Sequence, residues 1–262
     1  MSATAVATID TTKPAIPLSR LVKVELRKMF DTRSGFWLMA SIGIVALLAT
    51  IGVILFLPDD QFGYGAFATA IGVPIAILLP IIAILSVTGE WSQRTGLITF
   101  TLLPHRGQVI ASKAIAAILV GVAGMLVAFS IGAVGNVVGS AIAGVDTVWD
   151  VTFSNFVTII LANVLGLLVG FMLGVLIRNS AGAIVAYFVY SFVIPGIFGF
   201  LAATQDWFEK LQPWIDFNDA QTPLFDGAPT GEQWAQIGTS GLIWFAIPLA
   251  IGVWAVLRSE VK

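Results

Sequence analysis

The sequence predicts an all-α integral membrane protein: six transmembrane helices preceded by an N-terminal amphipathic helix at the membrane surface. Composition and one recurring pattern carry this expectation. Of 262 residues, 58% are hydrophobic and 11% are charged, whereas a soluble domain carries about 25% charged residues. Mean hydropathy is +0.96. Apolar stretches of about 21–25 residues, free of Asp, Glu, Lys, Arg and His, recur six times. At roughly 1.5 Å per residue, each is long enough to cross about 30 Å of hydrocarbon.

Residues 1–17, MSATAVATIDTTKPAIP, are small, polar and broken by proline. No basic segment leads into an apolar one, so a disordered tail is expected rather than a cleaved signal peptide. From Leu18 to Arg33, Leu18, Leu21, Val22, Leu26, Met29 and Phe30 recur at helical spacing, while Arg20, Lys23, Arg27 and Lys28 lie mostly off that stripe. This reads as an interfacial helix, its apolar face in the acyl boundary and its basic residues near anionic headgroups. A plain basic flank to the first span is the alternative. The spans are expected at 36–57, 66–88, 114–138, 156–177, 183–203 and 237–257, so that residues 18–262 form one transmembrane domain.

The basic residues orient it. They fall before span 1, between spans 2 and 3 (Arg94, Arg106, Lys113), between spans 4 and 5 (Arg178) and after span 6; Lys210 alone falls on the other side. Both termini and the 89–113 loop are therefore expected in the cytoplasm, and the chain in the inner (plasma) membrane as a multi-pass protein. The opposite side is acidic. Its longest connection, 204–236, mixes acids with Trp207, Phe208, Trp214, Phe217, Phe225 and Trp234. Tryptophan favours the membrane boundary, so the connection is read either as short helices on or dipping into the outer leaflet, or as a surface loop with aromatic anchors.

Several chemistries find no residues to carry them. Ionisable groups inside the membrane mark proton relays and voltage sensors, and the spans hold none. Cysteine is absent and His105 is the single histidine, in the 89–113 loop, so neither a metal site nor a His-activated nucleophile is expected. No Gly-Lys dipeptide occurs, which removes a P-loop. No catalytic role or cofactor is therefore expected of this chain, and any energy for uphill transport must come from another polypeptide. Pro74 and Pro80 interrupt span 2, Pro195 span 5 and Pro248 span 6, where proline kinks a helix or frees carbonyls. Gly166, Gly170 and Gly174 form a doubled GxxxG ridge in span 4, read as packing within one protomer rather than a dimer seam. Tyr187, Phe188, Tyr190 and Phe192 in span 5 either line an amphipathic path or face lipid.

The 89–113 loop is more than a connector. Besides Glu90, Arg94, Arg106 and Lys113 it carries an apolar cluster, Leu97, Ile98, Phe100, Leu102 and Leu103, which reads as a short surface helix offering its apolar side to a partner. Glu90-Trp91, Arg94-Thr95-Gly96, Thr99-Phe100-Thr101-Leu102-Leu103-Pro104, Arg106 and Lys113 together resemble the pattern of ABC-2 type permeases, whose fold is of the type V exporter kind. Glu25-Leu26-Arg27-Lys28 is similar to that family's amphipathic leading helix, and Gly-Glu-Trp-Ser and Pro-His-Arg are similar to actinobacterial members. A longer signature of some drug-exporting members, in the last third of the chain, is missing here.

The resemblance implies a permease subunit that pairs with a second, identical or related, permease subunit. Two separate ABC ATPase subunits binding ATP and Mg would dock on the cytoplasmic side. Residues 89–113 would be the coupling segment, with Glu90, Arg94, Leu97, Ile98, Phe100, Leu102, Leu103 and Arg106 in contact. Leu21, Leu26, Arg27, Lys28 and Phe30 of the leading helix would complete the docking surface, and Pro74, Tyr187, Phe188 and Tyr190 would lie nearest the substrate path. Three rivals are an ATPase-independent channel or facilitator, a lipid-acting membrane enzyme, and a vitamin-uptake substrate-binding subunit.

Overall fold

The computed structural model describes residues 16–92 and 106–258. Among them every regular element is a helix, and six helices are long and apolar enough to span a membrane. Helix α1 (Leu18–Asp31) is followed by α2 (Arg33–Phe56), α3 (Tyr64–Ser92), α4 (Arg106–Ala143) and α5 (Phe153–Ile177). The fifth span is composite: α6 (Ser180–Phe188), a π-helical turn (Val189–Val193) and α7 (Ile194–Thr204). Short helices α8 (Asp206–Ile215), α9 (Phe217–Gln221) and α10 (Pro223–Asp226) follow. The last span joins α11 (Gly231–Gly241), a second π turn (Leu242–Ala246) and α12 (Ile247–Arg258).

Local chemistry sets several of these boundaries. Thr32 has extended backbone and ends α1; its Oγ1 then accepts the Gly35 N–H at 3.0 Å and caps α2. A Cβ on Gly35 would run into the Met29 carbonyl, so this tight corner needs glycine. Thr230 and Gln233 form a reciprocal capping box that starts α11 at Gly231, earlier than the expected start at 237. Arg178, with φ of 56°, ends α5 in the left-handed conformation. Helix α4 has 38 residues, well beyond the expected 114–138. Length and charge criteria locate the part that fits in lipid, whereas Gln108, Ala111 and Ser112 simply continue the helix. The connection between spans 2 and 3 is correspondingly shorter than 89–113.

The core lies between α3, α4 and α5. Ile75, Leu79, Phe171 and Val175 are essentially inaccessible there. Helices α3 and α5 make the most extensive contact in the fold, and glycine is the reason. A Cβ at Gly170 would lie 2.5 Å from the Pro80 carbonyl oxygen and 2.7 Å from Pro80 Cα. Gly174 sits beside Ile84 and Val87. The expected small-residue ridge thus packs within the protomer through these two glycines; Gly166 meets nothing within 4 Å.

Candidate functional site

The coupling segment anticipated from sequence, 89–113, begins in the last turn of α3 and ends inside α4, whose first residue is Arg106. Arg94, Leu97, Ile98, Phe100, Leu102 and Leu103 lie outside the described residues.

Helix α1 packs on α4 and α2 at this end of the bundle. The anticipated apolar stripe divides. Leu21 and Val22 are buried, Leu26 and Met29 are half-buried, and Leu18 and Phe30 are 39% and 53% exposed. The stripe therefore does not lie as a whole in the acyl boundary; its centre faces protein. At that centre stands an acid. Glu25 is 8% exposed. Its Oε2 accepts from Lys113 Nζ at 2.6 Å, and its Oε1 from Lys28 Nζ at 2.8 Å. Lys113 is itself only 5% exposed and donates further to the Ser86 carbonyl of α3 at 3.4 Å. One ammonium thus ties together α1, α3 and α4. Burial pushes the Glu25 carboxyl up, but the Lys113 and Lys28 ammoniums beside it prevail and hold it below the usual carboxylate range. Arg27 pairs with Asp31 on the exposed side of α1, at 2.8 Å. A second tie, between Thr88 Oγ1 and Ser180 Oγ at 2.7 Å, joins the foot of α3 to α6.

From sequence, Lys113 stands either as a positive-inside anchor or as a partner for an acid on another subunit. Its carboxylate belongs instead to its own chain, 88 residues away. Helical spacing held a signal for this, since Glu25 falls on the same face as Leu21, Val22 and Met29.

The four span-5 aromatics separate into two pairs. Tyr187 and Tyr190 point into the protomer, 5% and 7% exposed. Phe188 and Phe192 stack on each other with centroids 5.9 Å apart and are 39% and 55% exposed. Tyr187 Oη donates to the Ala76 carbonyl at 2.9 Å. That carbonyl stands four residues before Pro80, which has no N–H to offer it. Pro74 is half-buried within α3.

At the opposite end, Asp150 closes the start of α3: its Oδ1 accepts the Gly65 N–H at 2.6 Å, and Gly63 and Gly65 leave it room. The 204–236 connection is helical, as one of the two readings had it, but it does more than lie at a surface. Asn218 Nδ2 donates to the Tyr190 carbonyl at 3.3 Å, and Trp244 Nε1 donates to the Ile215 carbonyl at 2.6 Å. Tyr190 and Trp244 stand near the middles of spans Ser180–Thr204 and Gly231–Arg258. At 1.5 Å per residue they are roughly 15–20 Å from either end, so the 215–218 tip re-enters the bundle to mid-depth. Asp216, 1% exposed, goes with it. Asp216 is thus an ionisable group in the interior contributed by a connection and not by one of the six charge-free spans. The sequence of that connection, acids among aromatics, looks like a surface.

No protein-family model matches the chain, and comparison with curated proteins finds no match.

Proposed function

We propose that this chain is the transmembrane permease subunit of an ABC-2 type transporter, forming with a second permease subunit the path for export of an amphipathic or hydrophobic compound. Separate ATPase subunits supply the energy. The observation that carries the reading is the 89–113 motif, Glu90-Trp91 through Lys113, whose apolar cluster falls in sequence between α3 and α4. The Glu25–Lys113 ion pair that fastens α1 to α4, with the Lys113 hydrogen bond to the Ser86 carbonyl of α3, supports it, because an ATPase docking there needs a firm seat. In this reading the basic end is cytoplasmic. Leu97, Ile98, Phe100, Leu102 and Leu103 fill an apolar groove on the ATPase, each buried side chain contributing roughly 1.5–3 kcal/mol.

Affinity capture of the tagged chain from native membranes tests the proposal. An ATPase carrying a P-loop should co-purify, and Phe100→Asp with Leu103→Asp should abolish its capture while the protein stays inserted. Capture unchanged by the double substitution removes the coupling role. Uphill transport by the chain alone in vesicles, with no ATPase present, refutes the whole reading in favour of a self-sufficient carrier.

A further inference from the structure

Two spans share a local motif, and the π turns that go with it stand at matching depth. Span 5 reads Phe192-Val193-Ile194-Pro195 and span 6 reads Phe245-Ala246-Ile247-Pro248. Each is preceded by a π turn, closed by Ile194 N–H to the Val189 carbonyl and by Ile247 N–H to the Leu242 carbonyl. Proline explains the coincidence. Its ring collides with the carbonyl four residues back and it offers no N–H, so the preceding turn widens to the five-residue spacing. In that register the carbonyl left without a donor by Pro195 is that of Tyr190.

The 215–218 tip meets both turns. Asn218 donates to the Tyr190 carbonyl at 3.3 Å, and Trp244, within the second turn, donates to the Ile215 carbonyl at the end of α8. The Tyr190 and Trp244 rings touch, with centroids 5.5 Å apart. Asp216 fixes the tip: its Oδ1 accepts the N–H groups of Asn218 and Asp219 at 3.0 and 3.3 Å, and its Oδ2 accepts from Gln212 at 3.3 Å. Phe217 presses on Gly241, where a Cβ would meet the ring at 3.1 Å, directly before the second π turn. Single π turns concentrate where helices change shape, and an unserved carbonyl inside a membrane is costly.

We propose that spans 5 and 6 bend at this matched pair of proline and π hinges, and that the re-entrant Ile215–Asn218 tip is the latch holding both at one angle. Releasing the tip frees the two outer half-spans to swing independently of one another. A kink change of about 20° on a lever of roughly 20 Å moves the end of each by about 7 Å. The device belongs to the chain itself and does not rest on the transport reading.

The chain contains no cysteine, so spin labels at Ala203→Cys and Glu232→Cys report the separation of the two half-span ends in lipid nanodiscs. Trp244→Phe removes the donor to Ile215 and keeps an aromatic ring there, and Asn218→Leu removes the donor to Tyr190. Each should broaden the distance distribution and shift it by roughly 5 Å or more. Adding Pro195→Ala with Pro248→Ala should restore a narrow distribution, because the hinges are then gone. Distributions unchanged by both latch substitutions overturn the proposal, as does broadening that persists once both prolines are replaced.

Discussion

Replacing the buried pair Glu25 and Lys113 offers the sharpest energetic test of how α1 is held. The two groups meet at 2.6 Å with side chains 11% and 5% exposed. Desolvating two charges is expensive, so such a pair adds little net stability over a well-packed apolar pair, yet removing one partner strands the other and costs about 3–5 kcal/mol. The partners are not equivalent. Lys113→Met leaves Glu25 with Lys28 at 2.8 Å, whereas Glu25→Met removes the carboxylate from both ammoniums. Glu25→Met should therefore destabilise more than Lys113→Met, by up to about 3 kcal/mol because Lys113 keeps the Ser86 carbonyl, while Glu25→Met with Lys113→Met returns to within roughly 1–2 kcal/mol of the parent. Equilibrium unfolding of the purified protein in detergent, run as a double-mutant cycle, gives the coupling directly. Singles that simply add, with coupling below about 0.5 kcal/mol, refute the buried-pair reasoning. The pH dependence has a definite sign. The Glu25 carboxyl is held low in the folded state, so its contribution is fully present above the ordinary glutamate value of about 4.3. It is lost as pH falls through the lowered value, and Glu25→Gln should flatten that acid limb.

Two further outcomes follow from the proline-bearing third helix. Tyr187→Phe should cost about 1–3 kcal/mol in thermal or denaturant unfolding, because the Ala76 carbonyl it serves has no donor from Pro80; in a Pro80→Ala background, where the helix supplies that donor, the cost should shrink by at least half. Gly170→Ala should destabilise by roughly 1–3 kcal/mol through overpacking, since the added Cβ meets Pro80 backbone, which cannot turn aside; Gly166→Ala, facing nothing within 4 Å, is the control expected to be close to neutral.

The number of spans, their approximate places and the separation of basic from acidic ends were all legible in the residues alone. Those features depend on quantities summed along the chain: apolar length against bilayer thickness, and charge counted per connection. Individual partners depend on which distant segments meet, and no local pattern encodes that. Pro80 announced a freed carbonyl, but its donor, Tyr187, stands 111 residues from Ala76. Lys113 announced a membrane-edge anchor, and only the docking of α1 brought Glu25 to it. The acids of 206–226 carried the signature of a solvated surface, until tertiary packing placed Asp216 in the interior to hold a tip that serves the Tyr190 carbonyl, which Pro195 leaves without a donor. Inside an apolar bundle a backbone group without a partner is costly, so prolines and acids mark where a partner is needed, and the fold alone selects which one arrives.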